Sequence, residues 1–156
     1  MNAPAKDSPR IIGLPPLIFA ACLGLGLGLH WLHPIPLSPR VPLRVAGIFL
    51  LVVAAAISLS ALAIMRTAGT NVRPDRPSTA VVTSGSFRFT RNPLYLSLCL
   101  LHAGIALVVG GLAPLLLTLA LAIILHLGVI LPEEEYLEAK FGTVYSGYCS
   151  RVRRWL

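Results

Sequence analysis

Four side chains able to do chemistry, Asn92, Tyr95, Cys99 and His102, recur at spacings of three, four and three. Those spacings put them on one face of a helix. A second set, His126 and Glu133, lies seven apart and also shares a helical face, with Glu134 and Glu135 next in line. Arg91 stands just before the first set. An amide, a phenol, imidazoles, carboxylates and a guanidinium on two facing helices can bind a polar ligand or relay a proton. Each residue also has a plainer use. Arg91 can snorkel to phosphate, Tyr95 can anchor at an interface, His102 can bond helix to helix, and the three glutamates can start a helix. Spacing alone stops at a polar pocket facing one side of the bilayer.

The elements that must carry these residues are apolar. The chain has 156 residues, 56% hydrophobic, with mean hydropathy +0.80 and only 12% charged, against roughly 25% in a soluble domain. Too few charges remain to cover a water-facing surface, so lipid is the main solvent. Residues 11–39, 45–65 and 92–132 contain no Lys, Arg, Asp or Glu. A spanning helix takes about 20 residues. The third run would extend about 60 Å as one helix, so it must turn back, and Gly110-Gly111 followed by Pro114 is the place. The expectation is an all-α membrane protein with four transmembrane helices, roughly 12–32, 45–65, 93–109 and 112–131. Helices 3 and 4 form a hairpin, and a helical segment follows to Phe141-Gly142. Two parts are expected: residues 1–66 with two spans, and residues 67–156 as a cofactor-binding core of loop, hairpin and tail. The first helix lacks a small-residue cleavage site after it and reads as a retained span.

With both termini in the cytoplasm, Lys6, Arg10, Arg66, Arg73, Arg76, Arg88, Arg91, Lys140, Arg151, Arg153 and Arg154 all face inward. Only Arg40 and Arg44 face outward, a strong positive-inside bias. The expected location is a bacterial-type inner membrane. The net charge of +7 serves orientation and anionic lipid heads rather than nucleic acid. Cys22, Cys99 and Cys149 have no metal or disulfide spacing. Gly24, Gly26 and Gly28 mimic a nucleotide-binding turn, but inside a span they read as close helix packing. His30, Trp31 and His33 read as interfacial anchors without chemistry.

The segment Val82-Thr-Ser-Gly-Ser-Phe87-Arg-Phe-Thr-Arg91-Asn92-Pro93-Leu94-Tyr95 resembles the signature of the isoprenylcysteine carboxyl methyltransferase and phospholipid methyltransferase families: a Gly-x-aromatic turn, then Arg-(His/Asn)-Pro-x-Tyr opening a helix. Their second signature also appears in Glu133-Glu134-x-x-Leu137-x-x-x-Phe141-Gly142-x-x-Tyr145-x-x-Tyr148, closing with Val152-Arg153-Arg154-Trp155. The resemblance covers residues 69–156 and implies an S-adenosylmethionine-dependent methyltransferase acting on an amphiphilic or lipid-like substrate. It implies cofactor contacts at Val81, Val82, Phe87, Asn92, Pro93, Leu94, Tyr95 and Glu133. The shared helix faces add His126 and Glu134 for the cofactor, and Arg91 and His102 for the substrate. Three positions depart from the pattern: Ser97 replaces a Gly, Asn92 stands where eukaryotic members have His, and Val129 replaces an Arg that holds the substrate carboxylate. The last argues against prenylcysteine carboxylate as the acceptor. Two other readings of the polar pocket are a nicotinamide-dependent membrane reductase and a non-enzymatic scaffold.

Overall fold

The computed structural model describes residues 8–156; Lys6, counted above among the inward-facing cations, lies outside them. The fold is all-helical: α1 Pro15–Leu32, α2 Arg40–Thr67, α3 Pro93–Val109, α4 Leu112–Leu125, α5 Leu131–Phe141 and α6 Thr143–Cys149. A 3-10 turn, Gly85–Arg88, lies in the α2–α3 loop. Among the described residues there is no strand, only a bridge between Pro36 and Gly111. Three helical stretches, Pro15–Leu32, Arg40–Thr67 and Leu112–Phe141, are long and apolar enough to cross a membrane, and α3 is apolar but shorter.

The expected boundaries are met where local chemistry sets them. Pro93 opens α3, and Gly110 closes it with φ 73°, the left-handed conformation that glycine adopts without a side-chain clash. Residue 12 does not open α1. Leu14 precedes a proline and is extended, ψ 127°, so the helix begins at Pro15.

The fourth helix departs further from expectation. It does not stop at 131 but continues through a π-turn, His126–Ile130, into α5 and on to Phe141. The apolar run ends near 131, but Glu133–Lys140 is rich in helix formers, with acids in the first turn and Lys140 in the last. Pro132 has no N–H to give the Gly128 carbonyl one turn back. The ladder loosens there, and the Gly128 carbonyl instead accepts the Ile12 N–H at 3.0 Å.

Packing pairs α2 with α3 and α1 with α4. Buried Gly47, Ala54 and Ala61 repeat every seven residues along α2, which sets small side chains against α3. A Cβ on Gly47 would come within 2.7 Å of the Gly104 carbonyl oxygen. Of the three α1 glycines, only Gly26 is in such a contact, 2.7 Å from Pro114 Cα, while Gly24 and Gly28 have nothing near them. Leu121, Leu125, Val129 and Ile130 are fully buried, whereas Phe49, Val52, Leu59, Leu119 and Ile123 point outward. Two polar pairs join neighbouring helices: Ser58 with Ser97 at 2.7 Å, and His102 Nδ1 with Thr118 at 2.9 Å.

Candidate active site

The loop before α3 is held in place by glycine and by the chain's last residues. Gly85 has φ 56° and packs so closely on α2 that a Cβ would collide with the Ile64 side chain. The turn it opens presents Phe87, whose carbonyl accepts the Tyr148 hydroxyl of α6 at 2.7 Å. Residues 90–92 are then stitched to the C-terminal tail. The Arg91 N–H donates to the Arg153 carbonyl at 3.0 Å, and Thr90 Oγ1 and Asn92 Nδ2 donate to the Arg154 carbonyl at 3.2 and 3.0 Å.

Around this frame the two halves of the sequence pattern meet. Tyr95, on α3, donates its hydroxyl to Glu133 Oε2 on α5 at 2.6 Å, the short length of a charge-assisted bond. Glu134 accepts two guanidinium nitrogens of Arg154 at 2.9 and 2.7 Å and lies 3.4 Å from Arg91 Nη1. A cavity of about 70 Å³ lies among Val81, Val82, Phe87, Arg91, Asn92, Glu133 and Glu134, with Leu137, Tyr145 and Tyr148 closing it. Arg91 Nε is buried with no hydrogen-bond partner in that wall, a donor suited to a ligand oxygen.

Pro93, Leu94 and Tyr95 stand one step away. Pro93 is buried at the start of α3. Leu94 and Tyr95 line a second, apolar groove of about 420 Å³ with Leu14, Pro15, Leu62 and Leu98, and among the described residues Arg73 is its only charged lining residue. Tyr95 therefore lines the groove and hydrogen-bonds a residue of the cavity wall.

Two sequence nominations do not join the site. His126 shares no face with Glu133, because the π-turn between them rotates the helix beyond it. Its ring faces Trp155, with centroids 6.3 Å apart, in a separate apolar recess. His102 is fully buried, bonded across to α4 through Thr118 and set edge-on to Phe19; it is a helix-to-helix contact and touches neither cavity. Val129, in place of an arginine, is fully buried in the apolar core.

Sequence reasoning also missed contributors. Tyr145 and Tyr148 belong to the second signature, and their spacing of three puts both on the inner face of α6. Burial pushes the Tyr148 phenol up to about 12 and the Tyr145 phenol well above its ordinary range. Arg154 looks like one more basic tail residue, yet its hydrogen bonds with Glu134 hold its guanidinium above the usual range. Cys149, which has no metal or disulfide spacing, accepts a hydrogen bond from Arg91 Nη1 at 2.6 Å.

No curated protein sequence matches this chain. A family model does: phospholipid methyltransferase, over residues 43–144, about two-thirds of the chain, from the first turn of α2 to the start of α6. That span carries both halves of the cavity wall, and with its apolar helices the chain belongs to the phospholipid methyltransferase family and is a membrane methyltransferase.

Proposed function

We propose that the chain transfers a methyl group from S-adenosylmethionine to an amphiphilic acceptor, a lipid-like molecule bearing a carboxylate or thiol. The observation that carries this reading is the Tyr95–Glu133 hydrogen bond, 2.6 Å, which joins the first signature to the second at the wall between a polar cavity and an apolar groove. Four spans with both termini in the cytoplasm fit the distribution of basic residues, and put the cavity at the inner face of a bacterial-type inner membrane. In functional terms residues 1–66 serve as the lipid-facing support and residues 67–156 as the core.

The donor set suits an adenosyl ligand. Glu133 and Glu134 offer carboxylates to hydroxyl, ammonium or sulfonium groups, Arg91 offers its unpaired Nε to an oxygen, and Phe87 and Tyr148 offer aromatic surface. The cofactor supplies an electrophilic methyl group. The protein's part is to hold the acceptor in line with it and to exclude water, and positioning alone contributes on the order of 7–11 kcal/mol in favourable cases. A carboxylate or thiolate acceptor needs no proton removed at the moment of transfer. The groove holds its tail among Leu62, Leu94 and Leu98, with its reactive end toward Tyr95.

At about 70 Å³ the cavity is well below the roughly 300–1,000 Å³ of ordinary ligand sites, so segment 70–82 moves outward to admit the cofactor. That segment is lightly held, through Thr79 to Thr70 and Gly69, Asn71 to Pro77, and Ser78 to the Tyr136 hydroxyl. Segments with few ties of this kind open at low cost. Calorimetry of the detergent-purified protein with S-adenosylhomocysteine tests the cofactor, followed by a radiolabelled methyl screen over lipids, thiols and prenylated compounds. Saturable binding and a labelled amphiphile are expected; absence of binding overturns the reading.

A further inference from the structure

The opposite end of the bundle carries a second basic feature that methyl transfer does not use. Arg40 and Arg44 lie one turn apart on the first two turns of α2, both exposed. They border a cavity of about 300 Å³ with His30, Pro34, Pro36 and the Val109-Gly110 turn. The walls are fixed by backbone bonds, Leu37 N–H to the Gly110 carbonyl at 2.8 Å and Leu112 N–H to the Ile35 carbonyl at 3.0 Å. His30 packs on Gly111, where a Cβ would approach Nδ1 to 2.7 Å, and that nitrogen is buried without a hydrogen-bond partner.

The charge here is unbalanced. Every acidic residue among the described ones, Asp75, Glu133, Glu134, Glu135 and Glu138, belongs to the α2–α3 loop or to α5. None of these described acids lies near Arg40 or Arg44. Both also sit at the positive end of their own helix dipole, where cations are disfavoured. Simple lipid anchoring would need one exposed arginine and no cavity. Two guanidiniums, a polar ring and a preformed recess fit a tetrahedral oxyanion, which arginine binds through paired N–H groups.

We propose that this cavity is a binding site for a phosphate-bearing anion, carried by a lipid headgroup or free in solution, distinct from the methyl-transfer site. The test is calorimetry of the full chain in neutral detergent with dihexanoylphosphatidylglycerol, dihexanoylglycerol and inorganic phosphate. The phosphatidylglycerol binds and dihexanoylglycerol does not. Displacement of the lipid by inorganic phosphate identifies the free anion as a sufficient ligand, and binding without such displacement identifies the headgroup; either supports the site. The Arg40→Gln/Arg44→Gln double variant weakens binding about 100-fold, roughly tenfold for each charged hydrogen-bonding group. Arg40→Lys/Arg44→Lys, which keeps charge but loses the paired geometry, weakens it less. Equal binding of dihexanoylglycerol by the unmodified protein overturns the proposal whether or not the variants fold, as does an unchanged affinity in the folded glutamine variant.

Discussion

The two ends of the α3–α4 hairpin treat charge in opposite ways. Where α3 begins and α5 follows the π-turn, cations and carboxylates are half-buried and paired, Arg91 and Arg154 with Glu134, while Tyr95 donates its hydroxyl to Glu133. At the Gly110–Gly111 turn the cations are exposed and, among the described residues, have no carboxylate within reach, and the ties are backbone bonds. Internally balanced charge makes a rigid wall, since removing either partner leaves the other half-buried and without its main counter-charge. Unbalanced charge on a preformed recess instead leaves its interaction free energy for an outside ligand. The difference is open to attack at single residues.

The largest effect is expected at Glu133. Glu133→Ala lowers S-adenosylhomocysteine affinity about 100-fold, because a hydrogen bond to a charged group contributes roughly 1.5–3 kcal/mol. Calorimetry reads it, and an unchanged affinity would mean that the balanced end is merely structural. Next comes Glu134→Ala, which strips two arginines of one carboxylate. Arg154 is 36% exposed and Glu134 13%, so the cost lies between that of a buried and a surface pair, about 2 kcal/mol. Thermal unfolding in detergent should show it, together with faster tryptic cleavage after Arg151 and Arg153 as the tail lifts from Asn92. Retained protease resistance would show that the backbone bonds to residues 90–92 hold the tail by themselves.

A matched pair of glycines sharpens the contrast. Gly85 and Gly110 both have positive φ, 56° and 73°. Alanine at either position carries a left-handed penalty of about 1–2 kcal/mol. At Gly110 a Cβ meets nothing within 4 Å, whereas at Gly85 it collides with Ile64. Gly85→Ala is therefore the more destabilising by about another 1 kcal/mol, and it also displaces Phe87 and reduces methyl transfer. Equal losses in the two variants would mean that Ile64 simply turns aside.

Much of this was legible in the sequence, for reasons that differ by element. The bounds of α3 follow from Pro93 and Gly110, because proline and glycine act locally on the backbone. The meeting of the two signatures was legible as well, since a hairpin must return residue 133 to the level of residue 95. The rotation between His126 and Glu133 was not. Helical spacing assumes an unbroken 3.6-residue turn, and the π-turn before Pro132 inserts a residue's worth of rotation that no periodicity count contains. His102 looked ligand-like because spacing reports the face of a helix and not what Thr118 on the neighbouring helix offers it. Arg154 was hidden for a related reason: a basic residue near a chain end reads as solvated until tertiary structure folds it onto Glu134.

The smallest effect appears only in alkali, and again at one end alone. All four tyrosines of the chain, Tyr95, Tyr136, Tyr145 and Tyr148, are on the methyl-transfer side of the hairpin. Burial raises the Tyr148 phenol to about 12, with Arg91 pulling the other way, against an ordinary value near 10. The unfolded chain then loses this proton first, so between about pH 10 and 12 it binds fewer protons than the folded one, and stability falls as pH rises. Below about pH 10 both states keep the proton and the group contributes no pH dependence. Ultraviolet absorbance of tyrosinate should show one class of phenols ionising late in the folded protein. Tyr148→Phe removes part of that class and flattens the alkaline limb of the stability curve, at the cost of the 2.7 Å bond to the Phe87 carbonyl. Arg40→Gln, which touches only the other end, leaves the tyrosine titration where it was; a shift in that variant would mean that the two ends share one electrostatic field, and the contrast between them would have to be redrawn.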